Sequence, residues 1–133
     1  MDLLNNEMRT VLSRRLIFAI NFMMTTQENF FDKFNLVIID SMENKVVRFD
    51  LYNAEDTNMC ISFKRLGERE FQISYQLIDK EDGTMHSFIL FTDDKEENVE
   101  YNKTVVDLYE LVNEKARQDQ YDSLEKSLNK LLF

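Results

Sequence analysis

Five segments between residues 36 and 91 carry apolar side chains in the pattern of β-strands. The middle three alternate apolar and polar residues most clearly, as in KVVRFDLY at 45–52, where Val47, Phe49 and Leu51 share one face. Short polar links such as SMEN, NAEDT, GERE and DKEDG join consecutive segments. Because links this short form hairpins, the pattern predicts a five-stranded antiparallel meander.

The pairing register follows from keeping every apolar set on one face of the sheet. Pairing Phe49 with Ile61, Ile61 with Tyr75, and Tyr75 with Ser87 satisfies this condition. The last strand then contributes Met85, Ile89 and Phe91 to the apolar face. We expect helices to cover this face and the opposite, more polar face to stay open to solvent.

Helical periodicity precedes the strands. Residues 3–22 predict an N-terminal helix, and its apolar face is formed by Leu4, Met8, Val11, Leu12, Leu16, Ala19, Ile20 and Met23.

Helical periodicity also follows the strands. An acidic loop at 93–100 leads to a capping-box pattern at Thr104 and Asp107. Two apolar stripes come next, one through Val105, Leu108, Tyr109, Val112 and Ala116 and the other through Tyr121, Leu124, Leu128 and Leu131. On one continuous helix these stripes would lie roughly 110° apart, so we predict a break near residues 117–120. The prediction is one α+β domain spanning 1–133, with an N-terminal helix, the five-stranded sheet and two C-terminal helices packed on one sheet face.

The stretch SRRLIFAINFMMTT at 13–26 is unusually apolar for a surface helix. Its first residues resemble the twin-arginine export motif, but Asn21 interrupts the apolar run and no small-residue cleavage site follows. We therefore interpret it as the second half of the N-terminal helix. The C-terminal helices are expected to cover Ile17, Phe18 and Met24, and if they do not, these side chains form a patch for a partner.

Composition excludes several kinds of chemistry. The chain has 16 Lys and Arg against 25 Asp and Glu, a formal net charge of −9, which disfavours a phosphate backbone as partner. The two glycines, Gly67 and Gly83, are too far apart for a dinucleotide or P-loop motif. One cysteine permits no internal disulfide and suits a reducing, cytoplasmic environment. No apolar run approaches the roughly 20 residues that span a bilayer, so no membrane association is predicted.

Conventional catalytic groups are few. Cys60 and His86 are the only nucleophile–base candidates, and the predicted register places them in one row, two strands and roughly 10 Å apart, beyond direct activation. The triplet ENK at 43–45, with Asp32 upstream, is a weak match to a metal-dependent nuclease, and a carboxylate-only hydrolase also remains open. We predict no enzyme activity, no cofactor and no resident metal.

The acidic balance favours a protein-binding role. Our first hypothesis is an inhibitor or immunity-type protein, of the kind used in viral and bacterial conflict, that occludes a partner with a basic surface. Two acidic loops would make the contact, through Asp79, Glu81, Asp82, Asp93, Asp94, Glu96, Glu97 and Glu100. The alternative is a secretion or assembly chaperone that forms a homodimer through the LIFAINFMM stretch or through the last helix.

Overall fold

The computed structural model describes residues 5–42, 45–53, 59–79 and 81–133. It contains helices α1 (Asn6–Thr26), α2 (Phe30–Lys33) and α3 (Val99–Leu132) and strands β1 (Phe34–Met42), β2 (Lys45–Asn53), β3 (Met59–Arg65), β4 (Phe71–Ile78) and β5 (Met85–Thr92). The strands form one antiparallel sheet in the order β1-β2-β3-β4-β5. The predicted α+β meander is therefore confirmed.

One face of the sheet packs against α1 and α3, and we call it the covered face; the other is the open face. The largest side chains of the covered face come from the three central strands, among them Phe49, Leu51, Ile61, Phe63, Phe71, Ile73 and Tyr75. Aromatic stacking binds these strands together, as where the Phe49 and Phe63 rings lie 4.6 Å apart between centroids. The core therefore consists of the central strands and the two long helices.

The predicted register holds in the centre of the sheet and fails on either side. Ile61 pairs with Tyr75, as predicted. Phe49 pairs with Phe63 rather than with Ile61, and Leu51 takes the place opposite Ile61. This two-residue error leaves Phe49 and Leu51 on their predicted face because the side-chain period of a strand is also two.

In β5 the predicted register was wrong by one residue, and this error reverses the faces. Tyr75 pairs with Phe88, not with Ser87, and their rings stack at 4.7 Å. The turn before β5 fixes this alignment, since the Asp79 amide donates to the Thr84 carbonyl and Gly83 adopts a φ of 72°. The open face therefore carries three exposed side chains that were predicted to lie on the covered face, namely Met85, Ile89 and Phe91.

An irregularity between β1 and β2 changes which valine of β2 is buried. The register shifts between Ile38 and Ser41, so Val46 lies in the core and Val47 is only half-buried, contrary to the predicted alternation. At this irregularity, two side chains of α3 form hydrogen bonds with the backbone of Val46. The Val46 amide donates to Asn113 Oδ1 at 2.8 Å, and its carbonyl accepts from the Tyr109 hydroxyl at 2.5 Å.

Asn5 caps the N-terminus of α1, and its side chain accepts a hydrogen bond from the Met8 amide. Its buried line passes through Ser13, Ile17 and Ile20, while Ala19, predicted to face the sheet, is exposed. The helix is rotated because Ser13 is satisfied inside the core. Ser13 Oγ lies 2.5 Å from the Tyr75 hydroxyl and 3.2 Å from that of Tyr101, so a polar residue occupies a core position.

Helix α3 is continuous from Val99 to Leu132, so the predicted break near residues 117–120 was wrong. The predicted capping box was also wrong. The helix begins earlier, where Asn98 Oδ1 accepts from the Tyr101 amide at 3.1 Å, and Thr104 bonds the Glu100 carbonyl within the helix. Over the part of the chain that the structure describes, neither long helix has the length of apolar sequence that crosses a membrane.

Candidate functional site

Helix α3 crosses the strands one after another, from β5 towards β1. Near its start, the Asn102 amide group donates to Thr92 of β5 and to the Arg69 carbonyl beside β4, both at 3.1 Å. Further along, the Tyr109 ring packs between Phe71 of β4 and Phe49 of β2. These contacts hold the first half of the helix rigidly across the end of the sheet.

The sheet ends before the helix does. Four strand spacings make the sheet roughly 19 Å wide. The run of α3 from Asn102 to Asn113, both fixed by hydrogen bonds to the sheet or its turns, rises roughly 17 Å. Every residue from Arg117 to Leu132 is exposed, and we call this segment the distal half of α3. Its first turns, through Ser123, lie beside Ile38 and Ser41 of edge strand β1. The remainder, residues 124–132, extends for roughly 13 Å.

An apolar stripe runs along the distal half of α3. It consists of Tyr121, Leu124, Leu128 and Leu131, which are exposed by 62%, 61%, 49% and 81%. The two predicted stripes therefore belong to one helix, and only the first faces the sheet. The second lies roughly 110° around the helix from the first, so no described strand covers it. Four large apolar side chains in a row on a surface are typical of a protein contact.

The sequence predicted both stripes and placed the helix with the second stripe on the sheet, with a homodimer through the last helix as the alternative. The signal that this prediction missed is spacing. Alternating steps of 3, 4 and 3 residues match the a and d positions of a coiled-coil seam.

The three apolar residues singled out in α1 lie under or beside α3. Ile17 has no exposed surface, and the half-buried Phe18 ring packs edge-on against Tyr101 with centroids 6.4 Å apart. Met24 is half-buried next to Leu111 of α3. The expected cover from the C-terminal segment is therefore confirmed, and Ile17 is not available to a partner.

The acidic residues form two groups rather than one. The turn with Asp79, Glu81 and Asp82 precedes β5, and the loop 93–100 follows it, so the groups lie roughly 25 Å apart across the eight residues of the strand. In the turn, hydrogen bonds from Thr84 hold the pKa of Asp82 below its usual value, and the Glu81 amide donates to Asp79 Oδ1.

Some carboxylates of the loop 93–100 form contacts that hold the loop, and others are exposed. Glu96 forms an ion pair with Arg14 of α1, and Asp93 accepts a hydrogen bond from the Lys95 amide, so both contribute to holding the loop. The carboxylates of Asp94, Glu97 and Glu100 are exposed. The Asn102–Arg69 contact places this loop beside the β3–β4 turn, which adds exposed Glu68 and Glu70 to the same end of the sheet.

Cys60 and His86 lie on opposite faces of the sheet. Cys60 pairs with Gln76, which pairs with Ser87, whereas His86 pairs with Leu77. The prediction that both share one row was wrong because of the one-residue shift in β5. The sheet itself separates the two side chains, so they do not form a nucleophile–base pair.

The open face contains one buried charge that the sequence pattern did not reveal. Asp50 is only 2% exposed, and Arg48 caps it through contacts of 3.3 Å to each carboxylate oxygen. In the described ranges, no three His, Cys, Asp or Glu side chains are grouped to hold a metal ion. Residues 43 and 44 of the ENK triplet lie outside the described residues, so the structure does not place Glu43.

No protein-family model matches the chain, and neither a curated protein nor a solved structure matches it. Function is therefore inferred from the surfaces described above.

Proposed function

We propose that the chain is a non-enzymatic protein-binding domain of the adaptor or chaperone type, with the distal half of α3 as its docking element. The observation that carries this proposal is the exposed stripe of Tyr121, Leu124, Leu128 and Leu131. Its side chains are exposed on a helix whose first half is fixed by hydrogen bonds to β2, to β5 and to the turn before β4. A rigid base with an apolar projection suits helix-to-helix docking.

A capture experiment with the full chain tests this proposal. The double variant Leu124→Glu/Leu128→Glu places two charges in the stripe, and Asn129→Glu, which adds a charge away from the stripe, is the matched control. We expect proteins retained from source-cell lysate by the wild type and by Asn129→Glu to be lost by the double variant, because apolar contact cannot form around buried carboxylates. If the double variant retained the same proteins, the distal half of α3 would not be the docking element.

A second candidate function is occlusion of a basic partner by the acidic end of the sheet. The specific observation that favours it is the cluster of exposed carboxylates from Asp94, Glu97 and Glu100, with Glu68 and Glu70 alongside. Carboxylates exposed in this way would steer a basic protein towards this end of the molecule. This function and docking through α3 use different surfaces, so one molecule can perform both.

Charge-neutral variants separate the two acidic groups. For a captured basic partner, Asp94→Asn/Glu97→Gln/Glu100→Gln should slow association and flatten its salt dependence, whereas Glu81→Gln, beyond the other end of β5, should change neither. Association rates measured from low to high salt provide the readout. A wild-type rate that does not vary with salt would contradict this second function.

A further inference from the structure

The stripe on the distal half of α3 has the geometry of a short coiled-coil seam. Tyr121 and Leu128 occupy one core position of the heptad, and Leu124 and Leu131 occupy the other. Coiled-coil seams bury such positions against another helix with the same spacing. A second copy of this chain supplies that helix without any further component.

The charges of the distal half are arranged in a way that permits self-pairing. The four positions that flank the stripe are Gln120, Glu125, Ser127 and Leu132, of which three are uncharged. By helical spacing, Asp119, Asp122, Lys126 and Lys130 lie on the opposite side of the helix. A seam built for a basic partner would carry acidic flanks, whereas a chain of net charge −9 pairs with itself only where its charges are kept out of the contact.

The residues that precede the stripe determine the direction of pairing. Continuing the heptad backwards from Tyr121 places Arg117, Glu114 and Glu110 at the seam positions. In a parallel pair each of these charges would meet its own copy, and the two acidic bodies would lie side by side. In an antiparallel pair the bodies lie at opposite ends and these charges fall outside the apolar layers, so like charges are separated.

We infer that the chain forms an antiparallel homodimer through the distal half of α3, with Leu124 opposite Leu128 and Tyr121 opposite Leu131 of the second copy. The contact is isologous, with a twofold axis passing near residue 126. This inference rests on the proposed function, because it names the occupant of the docking element proposed above. With four apolar layers the seam is short, so the dimer should be populated in a concentration-dependent way.

Sedimentation equilibrium of the purified full chain over a wide concentration range tests whether the occupant is a second copy. We expect the wild type and the control Asn129→Glu to shift from monomer to dimer, and Leu124→Glu/Leu128→Glu to remain monomeric. Because the stripe side chains are exposed, the double variant should keep the unfolding midpoint that the wild type has at concentrations where it is monomeric, which shows that loss of the dimer is not loss of the fold. A wild type that stays monomeric at the highest concentration would overturn the inference.

A cysteine placed beside the axis tests the direction of pairing. In a Cys60→Ser background, Ser127→Cys carries the only thiol of the chain. In the antiparallel pair the two copies of residue 127 lie on the same edge next to the axis, so a short bis-maleimide should join them. Ser123→Cys, displaced from the axis, is the control and should not be joined. A dimer whose residue 127 thiols are not joined would overturn the antiparallel arrangement.

The outcome also separates this inference from the proposed function. If the purified chain is monomeric but the stripe variant still loses a different captured protein, docking through α3 stands and self-pairing is wrong. If a dimer forms but survives the stripe variant, the inferred seam is wrong, and the capture experiment decides whether α3 docks a different protein.

Discussion

Ser13 is the residue that most directly connects the elements of the core. Its hydroxyl joins α1 to Tyr75 of β4 and to Tyr101 of α3 within hydrogen-bonding distance. Burial raises the pKa of both tyrosines above the usual value, which keeps both phenols neutral and able to donate at ordinary pH. One small polar side chain thus satisfies two buried hydroxyl groups and sets the rotation of α1.

Replacing Ser13 with alanine should therefore destabilise the fold. The variant leaves two buried phenol hydroxyls without their shared partner, and we expect a loss of about 1–3 kcal/mol in the free energy of unfolding. Urea denaturation measures this change. The control is Ser127→Ala on the exposed distal half of α3, which should stay within about 0.5 kcal/mol of the wild type. A Ser13→Ala variant as stable as this control would show that the hydroxyl cluster contributes nothing.

The strands and their order were predictable, whereas the pairing registers of β2 and β5 were not. In β2, β3 and β4 one alternating set is apolar and the other polar, so only one face fits the core. In β5 the set of Met85, Ile89 and Phe91 competes with Phe88 and Leu90, and both sets are apolar. The hydrogen bond from the Asp79 amide to the Thr84 carbonyl fixes which of the two sets faces the core. The alternation of apolar and polar residues does not predict that bond.

The predicted break in α3 was wrong because of a property that the sequence pattern does not contain. Two stripes at different angles are incompatible with one helix only if both must face the same sheet. The structure shows a helix longer than the sheet is wide, so the first stripe packs inside the chain and the second does not. Sequence reasoning predicted the helix and its apolar residues, but the candidate site depends on where the sheet ends, which is a tertiary property.

At the scale of the whole molecule, the chain combines an acidic body with a projecting apolar helix. The body has a core formed by five strands and two helices, whereas the distal half of α3 contributes no residue to that core. An isolated helical segment of this length is only marginally stable in water. The first half of α3 anchors one end of this segment, and we expect burial of the stripe against the second copy inferred above to stabilise the rest.

Residue-resolved hydrogen exchange of the wild type at low and high protein concentration tests whether a second copy covers the distal half of α3. We predict that backbone amides of residues 119–131 exchange rapidly in the dilute monomer and become protected as concentration rises, while amides of β3 and β4 show the same strong protection throughout. Leu124→Glu/Leu128→Glu should exchange rapidly in this segment at every concentration. Exchange of residues 119–131 in the wild type that is unchanged across the whole concentration range would contradict the account.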